Sequence, residues 1–180
     1  YKELFEHYGF QNYFNQYTYQ RNIRVGEFNQ SVYDRVKRLE ETPGYRFDHI
    51  DKRNLEQVAD DFRLIYNKAW ANFPGVRPMT REAAQALMRN MKPIIYFAYF
   101  NDEPVGFFIM VPDLNRVIGR FHGKMNLVNK LRLMAILKCT HKADRVFAII
   151  FGVAPEYHGR GIESGIMHEF EQTVARGEIH

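Results

Sequence analysis

Residues 144–170 read Asp144-Arg-Val-Phe-Ala-Ile-Ile-Phe-Gly-Val-Ala-Pro-Glu-Tyr-His-Gly-Arg-Gly-Ile-Glu-Ser-Gly-Ile-Met-His-Glu-Phe170. The apolar run Phe147 to Val153 has the length and continuity of a buried strand, and Pro155 stops it. Gly159 and Gly161 let the backbone come close to a ligand. A helix then starts near Ile162 and places Ile162, Ile166, Phe170 and Val174 on one stripe. Strand, glycine-bearing turn and helix in that order aim unpaired N–H groups and the positive end of the helix dipole into the turn. Such a turn cradles a phosphate or pyrophosphate, or else it is only the connection that the fold needs between strand and helix.

The glycines run Gly159-x-Gly161-x-x-x-Gly165, one residue longer than a dinucleotide-binding G-x-G-x-x-G, and no Gly-Lys-Ser/Thr follows as in a Walker-type loop. The segment instead resembles the signature of the GNAT superfamily of acyl-CoA-dependent N-acyltransferases, written Q/R-x-x-G-x-G/A. Here that pattern falls on His158-Gly159-Arg160-Gly161-Ile162-Glu163. His158 stands where the family has Gln or Arg, and Glu163 where it has a small residue. The resemblance implies that the backbone from Gly159 to Glu163 receives the pyrophosphate of acetyl-CoA or another acyl-CoA. It also implies that the pantetheine arm runs along the strand end at Val153 and Ala154. The acyl acceptor would be a primary amine, on a small molecule or on a protein.

The rest of the chain is consistent with that order. From Tyr45 the sequence predicts strand, helix, helix, strand, hairpin, strand, helix, strand, cradle, helix. Tyr45 to Ile50 is a strand candidate, and Asp51 or Asn54 can cap the next helix. Leu55, Val58, Ala59, Phe62, Ile65, Tyr66, Ala69 and Trp70 line one face of that helix. Thr80 caps a second helix through Ala83, Ala84, Leu87, Met88 and Met91, which Pro93 closes. Residues 94–100 and 105–111 are apolar strands around the turn Asn101-Asp-Glu-Pro104, and Pro104-Val-Gly-Phe107 fits the family's hairpin. A helix near Asn126 to Cys139 lies in an insertion before the signature strand. The fold class expected is therefore α/β (α+β): a GNAT-like mixed, mostly antiparallel central sheet flanked by helices.

Phe5-Glu-His-Tyr-Gly-Phe10 resembles the late GNAT element Y-E-x-x-G-F, with a strand after it over Gln11 to Arg21. Residues 1–44 are thus expected to be the tail of a preceding GNAT-like domain plus a helical linker from about Phe28 to Glu41. Residues 45–180 are then expected to be the acyltransferase domain, lacking its final strands, as in a tandem protein; a permuted single unit is the other organisation. Where many family members place a tyrosine as general acid, this chain has Phe5, which holds no transferable proton. Tyr8 is three residues on and points elsewhere on the helix. The carboxylates Glu103, Asp113 and Glu156 are not singled out by spacing, so no catalytic residue is assigned. An inactive GNAT-fold structural or interaction module is the competing reading.

With 180 residues, 46% hydrophobic and 15% aromatic, the chain can bury a core without disulfides. Its one cysteine, Cys139, forms no internal bridge and suits a reducing, cytoplasmic setting. No run reaches the roughly 20 apolar residues of a membrane span, so no membrane partner is expected. Arg116, Arg120, Lys124, Lys130, Arg132, Lys138 and Lys142, with His122 and His141, lie in a stretch without an acid. That stretch is a solvated face, a funnel for CoA phosphates or, last, a nucleic-acid patch. His168-Glu169 lacks the second histidine of a zinc-protease helix, and no metal is expected.

Overall fold

Two apolar strands joined by a tight hairpin must be covered on both faces. The computed structural model, which describes residues 1–15, 17–20, 26–50, 54–90, 94–139 and 145–177, meets that requirement with three layers. Strands β1 (Tyr45–His49), β2 (Ile94–Phe100), β3 (Glu103–Pro112) and β4 (Val146–Val153) form one sheet in the order β1-β2-β3-β4, with each neighbouring pair antiparallel. The helices are α1 (Lys2–His7), α2 (Gln30–Glu40), α3 (Leu55–Ala69), α4 (Arg81–Asn90), α5 (Asn115–Gly119), α6 (Leu127–Cys139) and α7 (Ile162–Arg176). From β1 onward this is the predicted element order with one addition, the short helix α5, which forms just after the Pro112–Asp113 break. The fold class is the expected α/β (α+β) one, a central sheet flanked by helices, and among the described residues every strand pair is antiparallel.

Strand alternation divides the core between the two faces. Ile94, Tyr96 and Ala98 of β2 point to one side, where they pack with Leu39 of α2 and Ile162, Ile166 and Phe170 of α7. Ile95 and Phe97 point to the other side, onto Val58, Phe62, Ile65 and Met88 of α3 and α4. Asn54 caps α3 by accepting the Gln57 N–H at 3.4 Å, and Thr80 accepts the Ala83 N–H at 3.2 Å ahead of α4. The hairpin turn places Asn101 and Asp102 at φ 50° and 64°, the geometry of a two-residue type I′ turn.

The signature strand departs from its expected burial. β4 pairs with β3 along its length, yet it is the sheet's edge among the described residues. Only Gly152 and Val153 are buried, while Phe147, Ile149 and Phe151 are exposed. An unbroken apolar run reads as a strand covered on both faces wherever it lies in the sheet, which is why neither the edge position nor the exposure is legible in it. The described residues up to Gln20 are all exposed: α1 buries no residue, and Phe5 meets Phe10 at 5.6 Å between ring centres. By contrast α2, read as linker, packs on α7 through Val36 and Leu39.

Several sequence expectations lie outside the described residues: Gln16 and Arg21 of the first strand segment, the Asp51 cap, Met91 and Pro93, His141 and Lys142, and Asp144.

Candidate functional site

The turn between β4 and α7 is positioned by a bulge. Pairing between β2 and β3 steps from Ala98↔Gly106 to Tyr99↔Pro104, which leaves Val105 as the extra residue. The Val105 carbonyl accepts the Ala154 N–H at 2.8 Å, fixing the end of β4. Alternation then turns the N–H and C=O of Val153 toward the open edge of the sheet. His158 Nε2 lies 3.0 Å from that Val153 carbonyl, which as an acceptor requires the ring nitrogen to donate. The residue at the family's Gln/Arg position therefore braces the turn and leaves the Val153 N–H on the open edge.

Pro155–Tyr157 form a single 3-10 turn, and the chain then enters α7 through Gly159 at φ 73° and Gly161 at φ 86°. Both lie in the left-handed region that glycine adopts without steric cost. Gly161 is the N-cap of α7 and no side chain caps that helix, so the first-turn N–H groups have no side-chain acceptor. A Cβ at Gly159 would meet open space. Arg160 is exposed and sits 5.1 Å from the Tyr157 ring centre. Burial, followed by the charge of Glu103, raises the Tyr157 hydroxyl above the ordinary tyrosine range. Ile162 is wholly buried and anchors the helix start, while Glu163 is exposed in the first turn, where its charge favours the dipole.

The third glycine of the run has a different role. A Cβ at Gly165 would collide with the ring of Phe47 on β1, so this residue sets how closely α7 lies on the sheet. Its place in the motif reflects packing and not ligand contact.

Sequence reasoning missed Arg35. This α2 residue donates from Nη1 to Ser164 Oγ at 3.3 Å, and Ser164 is buried in the first turn of α7. The Arg35 stem also lies over Gly161, 3.2 Å from where a Cβ would be. A side chain would therefore find open space at Gly159 and the Arg35 stem at Gly161, while the Arg160 N–H is directed at the Tyr157 carbonyl, 3.4 Å away. The signal in the sequence was the spacing Val32, Val36, Leu39, a helix face that packs. Deeper along α7, Glu171 is fully buried and accepts the Gly26 N–H at 3.0 Å and the Tyr33 hydroxyl at 3.0 Å, with His168 Nδ1 at 3.4 Å. These bonds hold the start of α2 against α7.

Of the carboxylates named from sequence, Glu103 and Glu156 both act on the Tyr157 hydroxyl, and Asp113 serves elsewhere. Asp113 accepts the Asn115 N–H at 3.0 Å and so shapes the turn after β3, while Glu103 and Glu156 are exposed. Phe5 and Tyr8 are exposed on or beside α1, which makes no substantial contact with another element. Among the described residues, no group of three or more His, Cys, Asp or Glu could hold a metal ion. Nor is any described helix long and apolar enough to cross a membrane.

No protein-family model matches the chain, and no curated protein matches it. Among solved structures it is similar to an N-acetyltransferase from Staphylococcus aureus Mu50, with 16% identity, 74% of this chain and 68% of that chain covered, and a TM-score of 0.45. A superposition that loose assigns neither a substrate nor a residue role.

Proposed function

We propose that the chain is an acyl-CoA-dependent N-acyltransferase, taking acetyl-CoA or a related thioester and a primary amine. The observation that carries this reading is the uncapped start of α7, reached through the left-handed Gly159 and Gly161 at the open end of β4. Backbone N–H groups from Gly159 to Glu163, with Arg160 beside them, would hold the pyrophosphate. The Val153 N–H, with Ala154 next to it, would guide pantetheine along the strand edge. The amine nitrogen attacks the thioester carbonyl, the C–S bond breaks, and the amine's proton leaves to solvent or a base while the CoA thiolate takes one up. Orientation and preorganised dipoles supply the acceleration.

The second reading is an inactive module of the same fold. The Arg35 stem over Gly161 and the carboxylate of Glu163 beside an anion site favour it. Calorimetric titration of acetyl-CoA and free CoA separates the two, with Gly159→Trp alongside and its fold checked by circular dichroism. Gly159 is the better position for this variant because a side chain there enters open space, whereas one at Gly161 meets Arg35. Binding that disappears in a folded Gly159→Trp chain supports the enzyme. Absence of binding in the parent, or equal affinity in the variant, rejects the cradle.

A further inference from the structure

Helix α6 exposes what most helices bury. Leu127, Val128, Leu131 and Met134 are 73%, 56%, 57% and 53% exposed, and their spacing of one, three and three residues puts them on one helix face. The opposite face, with Asn129, Leu133 and Ile136, is half-buried. Helical geometry sets Lys130 along one flank of the stripe and Arg132 along the other, both exposed. Arg120 and Lys124 are also exposed just before the helix, and no aspartate or glutamate occurs between Asp113 and Asp144. The surface is therefore apolar along its centre and uniformly cationic at its margins.

We propose that this face of α6 docks on an anionic lipid surface. Charge complementarity requires a negative partner, and the aliphatic stripe requires that the partner also offer an apolar interior. A nucleic acid supplies the first and not the second. A groove in a partner protein would be matched by a ridge of fixed shape, but α6 stands without substantial contact to any other element among the described residues. A convex helix face of Leu, Val and Met suits a deformable boundary between headgroups and acyl chains. There Lys130 and Arg132 can extend to the phosphates while their stems stay with the apolar stripe. This is a surface contact and not a span, so the sequence-level expectation of no membrane partner, which considered only spans, does not cover it.

The test is co-sedimentation of the full chain with phosphatidylcholine vesicles and with vesicles in which about a third of the lipid is phosphatidylserine. Retention is expected on the anionic vesicles alone, weakening as salt rises. Replacing both flanking charges (Lys130→Gln with Arg132→Gln) should lower the partition coefficient about twentyfold or more, on the usual contribution of a basic residue near such a surface. Leu127→Gln with Leu131→Gln keeps every charge and should lower it at least about tenfold, since apolar burial then lapses. Equal partition of the leucine variant and the parent would reduce the effect to adsorption of a basic protein and overturn the proposal. So would equal retention on both vesicle types, or self-association through the stripe without vesicle binding. Both pairs of positions are exposed, and circular dichroism confirms that each variant is folded.

Discussion

Helices α6 and α7 precede and follow the same strand in the chain, have similar lengths, and meet opposite fates. α7 buries Ile162, Ile166 and Phe170 against β1 to β3, and α6 leaves Leu127, Leu131 and Met134 in solvent. Apolar content does not account for the difference. α7 has one apolar stripe, a glycine at the point where the sheet comes closest, and a buried carboxylate that ties α2 over its outer side. Residues 127–139 have apolar side chains around most of their circumference, so no single face is marked for burial. What seats a helix is a shape that lets it approach, and α6 has nothing equivalent to Gly165.

The largest expected effect tests the buried half of this contrast. Phe170 is 3% exposed and meets Tyr96 edge-on at 5.6 Å. Phe170→Ala should cost about 3–5 kcal/mol in urea unfolding through lost burial and the cavity left behind. A loss below about 1 kcal/mol would show that α7 is not seated as described. Gly165→Ala follows. The added methyl enters the Phe47 ring, and overpacking of that kind costs about 1–3 kcal/mol. Ordinarily alanine stabilises a helix relative to glycine by about 1 kcal/mol, so even the sign of the measured change discriminates. A Gly165→Ala protein more stable than the parent would remove close approach as the reason for α7's burial.

A third test concerns the tie between α2 and α7. Glu171→Gln retains one acceptor for the Tyr33 hydroxyl or the Gly26 N–H but weakens bonds that end on a charge. The expected loss is about 1–2 kcal/mol. Hydrogen exchange should rise at the start of α2 while the amides of α3 remain protected; uniform exchange across both helices would refute a local tie.

The sequence was informative where a residue's role is local. Asn54 and Thr80 as caps and the stripe of α3 each follow from one short window and are found in place, and the hairpin turn read over Asn101 to Pro104 is there but shorter, since Glu103 and Pro104 already belong to β3. Gly159 and Gly161 were legible as a turn for the same reason. Long-range facts were not. Arg35 lies well over a hundred residues before Gly161 in sequence, and no local pattern foretells its stem covering that glycine. Likewise the exposure of Phe147, Ile149 and Phe151 depends on how far the covering helices extend over the edge strand, and α7 lies on β1 to β3 instead. His158 shows the intermediate case. Its departure from the family pattern was visible, but its bond to the Val153 carbonyl required the turn to be built.

The smallest expected effect sharpens the exposed half of the comparison. Leu131 is 57% exposed on α6, so Leu131→Gln removes little burial, and glutamine forms helix nearly as well as leucine. Its stability in urea should stay within about 0.5 kcal/mol of the parent, the usual range for a surface change. Phe170→Ala measured beside it supplies the scale. If Leu131→Gln instead cost as much as a core substitution, the stripe would be packed in the free chain, and the distinction between α6 and α7 would collapse. A near-zero stability change combined with a large loss of vesicle retention would mean that the leucine contributes to association and not to folding. Such a result would assign the apolar surface of α6 to a contact outside the chain, as the buried surface of α7 is assigned within it.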